Sequence, residues 1–210
     1  MLKTANISTK NFFESALNKN NLSQQRSELL IRIAENIAKE YSINQTVNLN
    51  FICTHNSRRS QLGQAWSFFA AAYFNLNINA YSGGTEVTAF YRNTVKTLQK
   101  VGFLFQVVDF SHQNPKYQIS FDGANKTILG FSKLYDDPEN KNPYMAITTC
   151  DSADENCPFI PSATHRFHLP FVDPKHSDGK EKQDEVYLQT NKQIAGEIYF
   201  IFSNVKKIIS

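Results

Sequence analysis

Phe51-Ile52-Cys53-Thr54-His55-Asn56-Ser57-Arg58-Arg59-Ser60 decides how this chain is read. An apolar run ends in a cysteine, an arginine follows as Cys53-x5-Arg59, and a hydroxyl stands directly behind it at Ser60. A helical pattern, Gln61 to Phe74, begins at once, so the residues between form the turn from a strand end into a helix start. Such a turn aims backbone N–H groups inward, and the helix dipole adds positive potential there. An arginine fork closing the loop suits a tetrahedral oxyanion. A cysteine in that field is of the reactive kind rather than the inert, buried kind. Two adjacent arginines at a helix start oppose the dipole unless something anionic binds. Thr54, His55, Asn56, Ser57, Arg58, Arg59 and Ser60 therefore read as an oxyanion cradle with Cys53 as the nucleophile at its floor.

Outward from that loop, the pattern is α/β. Val47 to Cys53 is the first core strand, and the helix after it buries Leu62, Trp66, Phe69 and Tyr73. Ile78 to Ser82 is a second strand ending in Gly83-Gly84-Thr85, followed by a helix from about Thr88 to Lys100. The runs Phe105 to Asp109, Tyr117 to Phe121 and Lys126 to Phe131 alternate in character. Asn114-Pro115 and Asp122-Gly123 turns separate them, which predicts a β meander inserted over about 106–142. Tyr144 to Thr149 returns to a buried strand, Arg166 to Leu169 is a short last one, and a helix runs from about Lys182 to Lys207. In front, Ser8 caps a helix Thr9 to Asn18. Ser23 begins a longer one carrying Leu29, Leu30, Ile33, Ile37 and Tyr41 at helical spacing. The expected division is a helical extension, 1–46, on an α/β domain, 47–210.

Composition sets bounds. With 210 residues, 41% of them hydrophobic, the chain can build a packed core. A net charge of +3 does not point to nucleic acid. No apolar stretch approaches the roughly 20 residues of a membrane span. The N-terminal residues show no signal-peptide core, so a cytoplasmic setting is expected. Three cysteines are too few, and odd in number, for a disulfide framework, which in a reducing compartment favours reactive or metal-binding roles.

Two of those cysteines lie in Cys150-Asp151-Ser152-Ala153-Asp154-Glu155-Asn156-Cys157-Pro158, directly after a strand. The acidic segment between them is expected as a mobile surface loop, on which two thiols could close to the roughly 7 Å between Cα atoms that a disulfide needs. In an open parallel sheet the carboxyl ends of the strands line one crevice. Cys53, Cys150 and Cys157 then face one site, as nucleophile, attacker and resolver. A zinc site of Cys150, Cys157, His165 and His168 has unfavourable spacing. Asp173-Pro174 adds a carboxyl on a stiff turn, suited to a general acid.

Together these elements resemble the low-molecular-weight protein tyrosine phosphatase superfamily, and more closely its thioredoxin-coupled arsenate reductases. The resemblance spans roughly 47–205 and rests on four pieces. They are Cys53-x5-Arg59-Ser60, Ser82-Gly83-Gly84-Thr85-Glu86, Cys150-x6-Cys157-Pro158 and Asp173-Pro174. It implies a four-stranded parallel sheet with helices on both faces. It implies that Cys53 attacks arsenate held by Arg59 and the loop amides, with Ser60 stabilising the thiolate and Asp173 protonating the leaving oxygen. Cys150 would then attack Cys53, and Cys157 would attack Cys150, leaving a disulfide for thioredoxin. No cofactor is implied. Some reductases of this type bind potassium, but with a glutamate where Gln64 stands, so no metal is expected although Asn56 matches. The chain departs from the pattern at His55, where the family usually has glycine, and at Arg58, which replaces a smaller or apolar residue. The alternative reading is a phosphatase working through a Cys53 phosphocysteine. Lys175 and His176 follow Asp173-Pro174 where phosphotyrosine enzymes commonly carry aromatics. A non-catalytic oxyanion or redox sensor is a third reading.

Overall fold

Strand β1, Val47–Cys53, is buried along nearly its whole length, as a central parallel strand must be when both faces are covered. The computed structural model describes residues 8–17, 22–156 and 159–210. β1 pairs in parallel with β2, Ile78–Gly84, on one side and with β6, Tyr144–Thr148, on the other; β7, Ala163–His168, closes the sheet in the order β2-β1-β6-β7. Four helices pack around it: α3 (Arg59–Tyr73), α4 (Arg92–Lys100), the short α5 (Asp151–Asn156) and the long α6 (Gln183–Ile209). This is the expected four-stranded parallel sheet flanked by helices.

The N-terminal extension is helical. α1, Thr9–Leu17, begins after Ser8, whose Oγ accepts from the Asn11 amide, and α2, Gln24–Asn44, begins after Ser23, whose Oγ accepts from the Arg26 amide. Asn18, the expected end of the first helix, lies outside the described residues. Both helices pack on α6. Trp66 of α3 lies against the rings of Phe12 and Phe13, each at 5.5 Å, and its Nε1 donates to Asn191 Oδ1 of α6 at 2.7 Å. Arg26 pairs with the buried Glu197 of α6 at 2.8 Å. Burial pushes the Glu197 carboxyl above its ordinary pKa, although Arg26 draws it back.

The inserted meander is a three-stranded antiparallel sheet, β3 (Phe103–Asp109), β4 (Lys116–Phe121) and β5 (Ile128–Gly130), in that order. Phe103, Ile119 and Phe121 join the main core. No helix among the described residues is long and apolar enough to cross a membrane.

Local expectations change at three places. The segment between Cys150 and Cys157 is not a loop over 151–156 but helix α5. The Cys150 carbonyl accepts its first bond from the Asp154 amide, and Asp151 and Asp154 in the first turn suit the dipole. α4 starts at Arg92 rather than Thr88, because Thr88 is tied to the nucleophile loop. Its amide donates to Ser132 Oγ and its hydroxyl to the His55 carbonyl. β7 starts at Ala163, where it finds its parallel register with Tyr144.

Candidate active site

Cys53 ends β1, Cys150 stands just beyond the carboxyl end of β6, and Asp173 follows that of β7. Cys53 is buried, and its Sγ lies 3.1 Å from Ser60 Oγ on the first turn of α3. Ser60 Oγ also accepts from Asn56 Nδ2 at 2.8 Å, which leaves its own proton to point at the sulfur. Asn56 is fixed in turn: its Oδ1 accepts from the Lys133 amide at 3.0 Å and from Gln61 Nε2 at 3.2 Å.

The loop turns on Asn56, whose φ of 46° is left-handed. The left-handed backbone thus falls on Asn56, one residue after His55, and on a residue type that tolerates it. The backbone N–H groups of His55, Asn56, Ser57 and Arg58 donate to no group among the described residues. Successive amides free to converge form an anion-binding concavity. The loop is held from behind by the end of β2: Thr85 and Glu86 donate their amides to the Cys53 and Thr54 carbonyls at 3.2 and 2.8 Å. That approach requires Gly84, where a Cβ would sit 2.7 Å from the Thr54 carbonyl oxygen and 2.8 Å from the Asn56 nitrogen.

The two arginines have different surroundings. Arg59 donates through Nη2 to Asp173 Oδ2 at 2.7 Å and through Nη1 to the Phe171 carbonyl at 3.0 Å, while its buried Nε has no hydrogen-bond partner. A buried N–H without an acceptor is costly, and an oxyanion would relieve it. Asp173 also caps the 3-10 turn Pro174–Ser177, accepting from the Lys175 amide. Arg58 is engaged elsewhere. Its Nε donates to Tyr187 Oη at 2.7 Å, its Nη2 to Asp178 at 2.8 Å, and its guanidinium lies 4.1 Å over the Tyr91 ring. Burial and the hydrogen bond to Asp178 hold the Tyr187 phenol above its ordinary pKa, against the opposing pull of Arg58. The His55 ring faces Glu86 at 3.2 Å, and its carbonyl accepts from Ser132. Ser57 is buried, its carbonyl accepting from the Tyr91 amide.

Cys150, also buried, lies with its Sγ 3.5 Å from Thr54 Oγ1 and shares one small apolar cluster with Cys53, Ile52, Tyr144, Ala146, Ala153 and Ile160. Thr149 fixes its position, donating its amide to the Ile52 carbonyl at 2.7 Å. Cys157 lies outside the described residues. Gln64 is fully engaged with Ser82, Ala80 and Leu129, and no group of His, Cys, Asp and Glu suited to a metal ion occurs among the described residues. His165 stacks on Phe167, apart from the pairing of His168 with Asp151.

Sequence reasoning did not single out Lys133, Gln61, Asp178 or Tyr187. Lys133 is buried, and burial pushes its ammonium down to about 8 against the attraction of Asp137 and Glu139. Lys133, Asp178 and Tyr187 reach the loop from distant positions, and Gln61, on the first turn of α3, carries no local pattern that marks it.

No family model matches the chain. It is 29% identical to an arsenate reductase of Bacillus licheniformis over 147 residues, covering 70% of this chain and 88% of that protein. It is 30% identical to arsenate reductase 1 of Staphylococcus epidermidis over 139 residues, covering 66% of this chain and 86% of that protein. Among solved structures, the low-molecular-weight protein tyrosine phosphatase of T. tengcongensis superposes with a TM-score of 0.53 at 16% identity, over 75% of this chain and 98% of that one. At that identity the likeness speaks to the fold.

Proposed function

This chain belongs to the arsenate reductases of the low-molecular-weight protein tyrosine phosphatase superfamily, and from that membership we propose that it reduces arsenate to arsenite by a three-cysteine relay regenerated by thioredoxin in the cytoplasm. The observation that carries the relay is the place of Cys150, buried in one cluster with Cys53 and 3.5 Å from the hydroxyl of the residue next to it. Hydrolysis through a phosphocysteine needs only Cys53, whereas a thiol exchange needs a second sulfur beside it.

The Cys53 thiolate forms an S–As bond while one arsenate oxygen leaves, protonated by Asp173. Arg59 and the loop amides hold the remaining oxygens, and Ser60 donates to Sγ until the attack. The Cys150 thiolate then attacks the Cys53 sulfur. The S–As electron pair stays on arsenic, which departs as arsenite. As(V) gains two electrons, and the two thiols lose them as a Cys53–Cys150 disulfide. Cys157 next attacks Cys150, and Cys53 leaves as thiolate. Thioredoxin, a dithiol, reduces the Cys150–Cys157 bond and takes the oxidation.

Arsenate turnover should require thioredoxin with its reductase. Cys157→Ser should stop after one turnover with Cys53 and Cys150 joined, and undiminished turnover in that variant overturns the relay. p-Nitrophenyl phosphate should be hydrolysed slowly. Fast hydrolysis that survives loss of both Cys150 and Cys157 would establish the phosphatase instead.

A further inference from the structure

Arg58 and Arg59 are neighbours on the nucleophile loop, and each holds an aspartate of the same short turn. Asp173 is the N-cap of the 3-10 turn Pro174–Ser177, and Asp178 is its C-cap. Arg59 Nη2 donates to Asp173 Oδ2 at 2.7 Å, and Arg58 Nη2 donates to Asp178 Oδ2 at 2.8 Å. The second attachment is a closed ring of three hydrogen bonds. Tyr187 Oη accepts from Arg58 Nε at 2.7 Å and donates to Asp178 Oδ1 at 2.6 Å. Its frame is firmly packed. Tyr187 stands near the start of α6 and is 1% exposed. Tyr91 lies under the Arg58 guanidinium and stacks on Tyr187, while its amide donates to the Ser57 carbonyl.

The two attachments differ in what an oxyanion does to them. An oxyanion entering the loop competes with Asp173 for the Arg59 fork, whose Nε is buried without a partner. Asp173 must also carry a proton to act as an acid, and a neutral carboxyl is a weaker partner for a guanidinium. The other bonds of Asp173, from the Lys175 amide and between its carbonyl and the His176 ring, are internal to the turn and move with it. Upstream the chain is next fixed at Phe171, whose amide donates to the Thr149 carbonyl, and Val172 between them is exposed. Asp178 meets no such competition, because Arg58 directs its Nε and Nη2 at Tyr187 and Asp178. Resting on the reading of Asp173 as the general acid, we infer that Arg58, Asp178 and Tyr187 are positioning residues that hold the far end of the turn, so that Asp173 keeps its place at the nucleophile loop when Arg59 gives its fork to the oxyanion. In the step they serve, the S–As bond forms, one As–OH bond breaks, and the Asp173 proton leaves with that oxygen as water. Added stability is a poor account of the ring, since apolar residues of like volume often match or better a buried ion pair. Three mutually bonded polar groups fix direction instead.

The test is a single turnover of the full-length protein with arsenate, following arsenite release, with inhibition by inorganic phosphate as the measure of ground-state binding. Asp173→Asn should slow release by about 10²–10⁴-fold. Tyr187→Phe keeps the ring and removes two bonds, and Asp178→Asn removes the charge; each should slow release about 10-fold or more, with the phosphate inhibition constant unchanged. In an Asp173→Asn background neither should slow it further, because the acid that they place is already gone. Equal slowing in both backgrounds, an unchanged rate in both single variants, or a rate loss matched by weakened phosphate inhibition overturns the clamp and leaves Asp173 as the acid. A full rate in Asp173→Asn overturns the general-acid reading, and the clamp with it.

Discussion

At the scale of single residues, the site works through a chain of hydrogen bonds that fixes which way each donor points. Asn56 donates to Ser60, so Ser60 can donate to Cys53. Ser60→Ala should lower kcat/KM for arsenate about 10–100-fold, equivalent to about 1–3 kcal/mol, with an unchanged circular-dichroism spectrum. An unaltered kcat/KM would refute the role of that hydroxyl. Lys133 makes a different prediction. Its folded pKa, about 8, lies below the ordinary 10.5, so the unfolded chain binds more protons between those values. Stability should therefore rise from about pH 8 to 10.5 by at most about 3 kcal/mol, and Lys133→Met should abolish the rise in urea unfolding. The placement of Cys53 and Arg59 on one strand-to-helix turn was legible from their spacing together with the strand and helix patterns on either side. The partners of Arg58 were not, because Tyr187 and Asp178 approach it from more than 100 positions away.

At the scale of elements, the strand-to-helix turn and the end of β2 form one unit. Gly84 lets two backbones touch where any Cβ would collide with the Thr54 carbonyl. Gly84→Ala should displace the loop and lower turnover by two orders of magnitude or more while the thermal transition stays cooperative. Near-normal turnover would show that the loop tolerates the shift. The strands and long helices were legible because their apolar periods are strong. α5 was missed because its residues are almost all polar, the pattern of a loop; its helicity comes from the Asp154 amide reaching the Cys150 carbonyl and from contacts with β7. The extra residues before α4 were misread for a related reason, since Thr88 takes its partners from the nucleophile loop and from Ser132.

At the scale of the molecule, we propose that residues 1–46 are a helical extension that cannot be removed from the 47–210 domain without loss of folding. α1 and α2 bury one flank of α6, and Arg26 neutralises Glu197, which is 1% exposed. Arg26→Ala should cost about 3–5 kcal/mol by leaving that carboxylate buried and unpaired. Arg26→Ala with Glu197→Gln should recover most of it in chemical unfolding. A loss in the double variant equal to that in the single would place the cost in lost packing of Arg26 instead. The need for such an extension was not legible, because α6 reads as an ordinary amphipathic helix until its partners are seen. The chain has one tryptophan, and it sits at the junction of α1, α3 and α6, against the rings of Phe12, Phe13, Phe69 and Phe103. The molecule thus carries a built-in optical reporter: undocking of the first helix would strip two rings from its one tryptophan and should change its emission.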